Sequence, residues 1–129
     1  MKQTVLKHSV EESVRRVKTS LSDKGFTLFC DVDHQANAAE VDLEMPASRV
    51  LLFGNPLAGT KLMQKDIAMS LDLPLRLAIF DNAGETTLLH QTSADYAAIY
   101  AVGNHPVLEK IEALFATLVS ELNEEESTS

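Results

Sequence analysis

At 129 residues and 45% apolar content, the chain has the material for one hydrophobic core. Its net charge of −8 repels phosphate backbones and argues against nucleic acid as a partner. No apolar run reaches the ~18 residues of a membrane helix, the N-terminus lacks a signal-peptide core, and a single cysteine excludes an internal disulfide and fits a reducing cytoplasm.

The chain opens on a short expected strand, Thr4–Lys7. Ser9-Val10-Glu11-Glu12 then reads as a capping box, in which hydroxyl and carboxylate each satisfy a helix N–H left without a partner. Val10, Val14, Val17 and Leu21 mark one helical stripe, and Gly25 supplies a left-handed end, so a helix is expected over Val10–Lys24. Phe26–Val32 alternates as a strand, with Phe26, Leu28, Cys30 and Val32 on its core face. Gln35–Val41 reads as a short helix, and Pro46 ends the connection that follows.

Val50–Phe53 is a continuous apolar run, the pattern of a strand buried on both faces. It stops at Gly54-Asn55-Pro56, where Asn55 is a good helix N-cap and Pro56 suits the first helical position. The helix runs over Pro56–Met63, with Gly59 weakening an extension to Met69. Leu75–Phe80 alternates again, Asp81-Asn82-Ala83-Gly84 is a hairpin turn, and Thr86–Gln91 is the returning strand. Thr92–Asn104 fits either a helix or a loop. Asn104-His105-Pro106 opens a last helix with a stripe of Leu108, Ile111, Leu114, Phe115, Leu118 and Leu122. Residues 124–129 read as a disordered acidic tail. These elements define an α+β two-layer domain over 1–123, an antiparallel or mixed sheet of about five strands with helices mainly on one face.

Gly54-x-x-x-x-Gly59-Thr60-Lys61 nearly matches a phosphate-binding loop, but the order Thr-Lys replaces Lys-Ser/Thr. One helical position turns a side chain by about 100°, so Lys61 would not reach a nucleotide as that motif requires. The positive end of this helix remains able to attract a small anion. The four histidines show no metal-binding spacing, Cys30 stands alone on an apolar strand face, and no metal or cofactor is expected. His34 follows two aspartates and would form a general acid/base pair with Asp72 if the fold joined them. Arg76, four residues on, fits a structural partner of Asp72.

Asp33-His34, Phe53-Gly54-Asn55-Pro56-x-x-Gly59-Thr60-x-x-Met63 and Leu71-Asp72-Leu73-Pro74-Leu75-Arg76 together resemble a small bacterial and archaeal family, the domain of unknown function family numbered 302. The resemblance covers residues 4–92. It implies an α+β domain, usually stand-alone, and a homodimer; it implies no activity. His90 stands where the family pattern has a tyrosine.

The polar and turn residues at strand ends form the candidate ligand site: His34, Asn55, Gly59, Thr60, Lys61 and Asp72. The expected function is a dimeric module binding a small, possibly anionic ligand. The alternatives are a structural or protein-partner domain and, third, an enzyme using His34 and Asp72; the balance leans away from an enzyme.

Overall fold

The computed structural model describes residues 1–124 and arranges them around one five-stranded sheet. Strands β1 (Lys2–Val5), β2 (Thr27–Asp33), β3 (Ser48–Gly54), β4 (Leu75–Asn82) and β5 (Glu85–His90) lie in the order β1-β5-β4-β3-β2. Every neighbouring pair is antiparallel. Helices α1 (Val10–Asp23), α2 (His34–Glu40), α3 (Pro56–Lys65), α4 (Ser93–Ile99) and α5 (Pro106–Leu122) complete the α+β fold.

Antiparallel partners share a face, and the register sorts the two faces cleanly. Leu51, Leu77 and His90 form one cross-strand row, Ile79 and Leu88 another, and Phe53 with Leu75 a third. These residues are all buried, under α1 and α5. Phe115 of α5 meets Phe53 edge-on at 6.1 Å and stacks flat on His90 at 3.8 Å. The α1 stripe of Val10, Val14, Val17 and Leu21 is buried as its spacing predicts, and Ser9 accepts a hydrogen bond from the Glu12 N–H. Lys24 pairs with Glu121 at 2.7 Å and ties α1 to α5. The opposite sheet face carries Val50, Leu52, Ala78, Phe80 and Leu89, all only partly buried. Val50–Phe53 is therefore not covered alike on both sides: alternate residues meet the helices and the rest face outward.

Several expectations shift. The first strand is Lys2–Val5, whose pairing with β5 runs from His90 to Thr87; Leu6 follows it, still donating its N–H to the Thr86 carbonyl at 2.8 Å, and is buried. The hairpin turn holds Ala83 and Gly84 at φ 52 and 93, the left-handed pair of a two-residue loop. Cys30 is corrected from the core face to an exposed position. The cause is a β-bulge between Leu28 and Cys30: Leu28 pairs with Phe53, but Cys30 pairs with Leu52 of the outer face. The helix after β3 stops at Lys65 because Asp66 is extended; its carboxylate caps the following 3-10 turn, Ile67–Asp72, through the Ala68 N–H. Thr92–Asn104 resolves partly into α4, opened by a reciprocal Thr92/Asp95 capping box. Of the expected tail over 124–129, residues 125–129 lie outside the described residues.

Candidate functional site

Beside the N-terminal half of α3 lies a cavity of about 480 Å³, bounded by α3, α5, the start of β2 and the Leu73-Pro74-Leu75 segment. Local sequence explains its position. Asn55 ends β3 in an extended conformation and its Oδ1 accepts the Leu57 N–H at 2.9 Å, fixing where α3 begins. Pro56 takes the first helical position. The β2 bulge turns Phe29 out of the alternation, so that its ring lies by Gly54 and lines the cavity mouth.

The floor is apolar. Leu62, Leu75 and Ile111 are buried and reach the cavity from α3, β4 and α5. Phe26, Leu73 and Leu114 complete the walls. The rim is polar and cationic: Asn55, Thr60, Lys61 and Lys110 line it, and among the described residues no carboxylate does. All four are exposed. Among the described residues, neither lysine ammonium has an ion-pair or hydrogen-bond partner. Such a cavity lies within the usual size range of small-molecule sites, and its few polar groups converge on one opening.

Two glycines border the cavity without being demanded by the backbone. Neither Gly54 nor Gly59 has a left-handed φ. A Cβ on Gly59 would meet only Leu73 at 3.9 Å, and one on Gly54 would touch Phe29 and Pro74 at ordinary contact distance. Glycine inside a helix costs about 1 kcal/mol relative to alanine. The fold alone would thus be better served by alanine at position 59.

The structure brings together four of the six expected site residues, Asn55, Gly59, Thr60 and Lys61, and separates the other two. His34 is the exposed first residue of α2, just after Asp33, which caps that helix through the Ala36 N–H. Asp33 is level with Arg49 and Ile79 in the sheet, whereas Asp72 leads into Leu75, level with Phe53. The span from Arg49 to Phe53 is about 13 Å of strand. His34 and Asp72 therefore stand at opposite ends of the sheet and form no acid/base pair. Asp72 is engaged elsewhere: it accepts the Tyr100 hydroxyl at 2.5 Å and Arg76 at 2.8 Å. That hydrogen bond raises the Tyr100 pKa, because the carboxylate stabilises the protonated phenol. Burial pushes neighbouring Tyr96 up to about 12. Both tyrosines are neutral structural groups. His90 is buried, its Nδ1 2.9 Å from the Gln91 carbonyl, and is not part of this cavity's lining.

Lys110 and the aromatic wall escaped the sequence reading. A signal existed for Lys110: Val107, Lys110, Ile111 and Leu114 share one helix face, so a cation interrupts the apolar stripe of α5. Phe29 carried none, since only the bulge redirects it. Among the described residues, no group of three His, Cys, Asp or Glu side chains is placed to hold a metal ion. None of the described helices is long and apolar enough to cross a membrane.

Sheet order and helix placement define the class: an α+β domain with one helical layer on an antiparallel sheet. A solved structure of an uncharacterized conserved protein DUF302 from Bacillus stearothermophilus has the same fold, with a TM-score of 0.79 at 16% identity, over 94% of this chain and 96% of that one. The family model described as "Domain of unknown function DUF302" matches residues 1–124, and the chain belongs to that family.

Two curated relatives carry a more specific name. The fluoride-specific ion channel FluC 1 of Brucella suis biovar 1 (strain 1330) is 39% identical over 98 residues, which are 75% of this chain and 39% of that protein. FluC 1 of Brucella abortus biovar 1 (strain 9-941) is also 39% identical over 98 residues, 36% of its length. The chain thus spans under two fifths of the curated relatives it matches.

Proposed function

We propose that the chain is a small-ligand binding module whose site is the cavity between α3 and α5, and that it works as a homodimer. One observation carries the reading: an apolar floor of buried side chains opens onto a rim where two lysines have no partner among the described residues. A concave apolar surface with a few polar groups converging on its mouth is the usual form of a small-molecule site. The glycine at position 59, where alanine fits, is consistent with a wall kept low for an occupant. The enzyme alternative loses its support, because its proposed acid/base pair is divided between two ends of the sheet.

The test is an NMR titration of labelled protein with a panel of small apolar, anionic and cationic compounds, repeated on Gly59→Met. Methionine favours the helix and fills the cavity from one wall. Ligand-induced shifts at Leu62, Leu75 and Ile111 that vanish in Gly59→Met are expected. Binding that survives the variant unchanged contradicts the site.

Dimerisation would use the outer sheet face, where Val50, Leu52, Ala78, Phe80 and Leu89 are only partly buried. A glutamate in place of Ala78 should then shift sedimentation from dimer to monomer.

A second reading is a partner domain. The Brucella relatives are named as ion channels, and the part they share with this chain contains no helix able to cross a membrane among the described residues. A segment of this kind would lie beside the channel part rather than form it, and this chain would bind the same kind of partner. It predicts an unoccupied cavity and binding to the remainder of such a channel.

A further inference from the structure

We propose that the ligand is an amphipathic small-molecule anion: an apolar body on the cavity floor and one carboxylate or similar anionic head at Lys61 and Lys110. The inference rests on the binding reading above and adds the chemical class of the occupant.

The lining divides by chemistry and by depth. The deep surface, Leu62, Leu75 and Ile111, offers no hydrogen-bond donor or acceptor from its side chains, so a polar body placed there would lose its hydration without compensation. A sugar, free nucleotide or inorganic ion is therefore a poor fit for the floor. The rim offers the opposite. Lys61 lies one position before Leu62 in α3, and Lys110 one before Ile111 in α5. Two of the three floor residues, Leu62 and Ile111, thus belong to helices that each also bring one lysine to the cavity lining.

The charge pattern decides the sign of the head group. Over the whole chain acidic side chains outnumber basic ones 19 to 11, yet the cavity lining holds two lysines and no acid. Lys24, Lys18 and Arg76 are matched by Glu121, Asp31 and Asp72, so the chain pairs some of its cations itself but leaves the two at the cavity to the solvent side. The Thr60 hydroxyl and the Asn55 amide nitrogen lie on the same rim, and the Asn55 oxygen is already occupied by the helix cap. The rim therefore presents mainly donors, which suit an anionic acceptor.

The experiment uses the full chain and three probes of one length: octanoate, octanol and octylamine, titrated calorimetrically. Octanoate should bind most tightly and octylamine least. In Lys61→Met/Lys110→Met, octanoate affinity should fall about tenfold, towards that of octanol, while octanol is unchanged. Exposed charge pairs are individually weak and screened by salt. Raising the salt concentration should therefore weaken octanoate binding to the wild type and leave octanol unaffected.

Equal affinities for octanoate and octanol, both insensitive to the double variant and lost in Gly59→Met, would overturn the anionic head and leave the binding site standing. No binding of any probe would overturn both and hand the groove to an apolar segment of a partner protein. A melting curve of the double variant matching that of wild type separates lost recognition from lost fold.

Discussion

Two regions of this molecule concentrate positive charge, and they treat it oppositely. At the β2–β3 edge, Arg49 donates to Asp31 through Nε at 2.8 Å and again through a second guanidinium nitrogen, and to Glu11 at 2.8 Å; Lys18 joins the same aspartate. Arg49 and Asp31 are mostly buried, and every charge in the group has an opposite. At the α3–α5 cavity, Lys61 and Lys110 stand over a buried apolar floor with no acid on the lining. The first arrangement is complete within the chain and is part of the fold. The second is, on the proposed function, completed by a bound ligand. Motif spelling would not have made that distinction: the phosphate-loop-like string contains Lys61, but its meaning comes from α5, about fifty residues further along the chain in sequence and opposite it across the cavity.

The largest expected effect comes from breaking the complete cluster. Arg49→Ala strips Asp31 of its bidentate partner and should cost about 2 kcal/mol in urea unfolding, less than for a fully buried pair because Lys18 remains. The same cluster sets an acid limb. Arg49 holds the Asp31 carboxyl below its ordinary range, and Arg15 and Arg16 hold Glu12 down to about 2. Both bind protons more weakly folded than unfolded. Their stabilisation is therefore complete above the ordinary carboxylate range near pH 4 and is lost as pH falls below it, for Glu12 towards about 2. Arg49→Ala should flatten that limb, measured as unfolding free energy from pH 6 to 2, whereas Lys61→Met should leave it unchanged.

Next is Tyr100→Phe. It leaves one oxygen of Asp72 without its donor, at a side chain only 11% exposed, and should cost about 1–2 kcal/mol. A loss of ligand binding without loss of stability would instead return Asp72 to the list of site residues. Gly59→Ala sharpens the comparison from the other side. It should stabilise the fold by about 0.5–1 kcal/mol while weakening ligand binding, because the added methyl meets only Leu73. A single substitution that moves stability and binding in opposite directions is the signature of a wall shaped for an occupant. Smallest is His34→Ala: at an exposed helix start with Asp33 retained as cap, it should change stability by under about 0.5 kcal/mol and binding not at all.

Much of the fold was readable where periodicity and capping agree. The α1 stripe, the Asn55-Pro56 helix start and the Asp81–Gly84 turn are local signals with local causes, and the structure keeps all three. The reading failed where one residue changes the phase of everything after it. The β2 bulge moves Cys30 to the outside and Phe29 to the cavity mouth, and no local pattern announces it. Asp66 ends α3 because its carboxylate accepts from both Ala68 and the distant Ala101 N–H, a tertiary contact that helix propensity does not contain. The site was half readable for the same reason. Its α3 residues are contiguous in sequence and were found together. Asp72 and His34 shared only a turn-like context with them, and the register of β3 keeps those two apart.

The most direct test of the central claim asks which surface a bound amphiphile touches. In the octanoate complex with methyl-labelled protein, nuclear Overhauser contacts from the alkyl chain should reach Leu62, Leu75 and Ile111 at the cavity floor, with the carboxylate end nearest Lys61 and Lys110. Contacts confined to Val50, Leu52 and Ala78 on the open sheet face would contradict it and make the cavity incidental to what this protein binds.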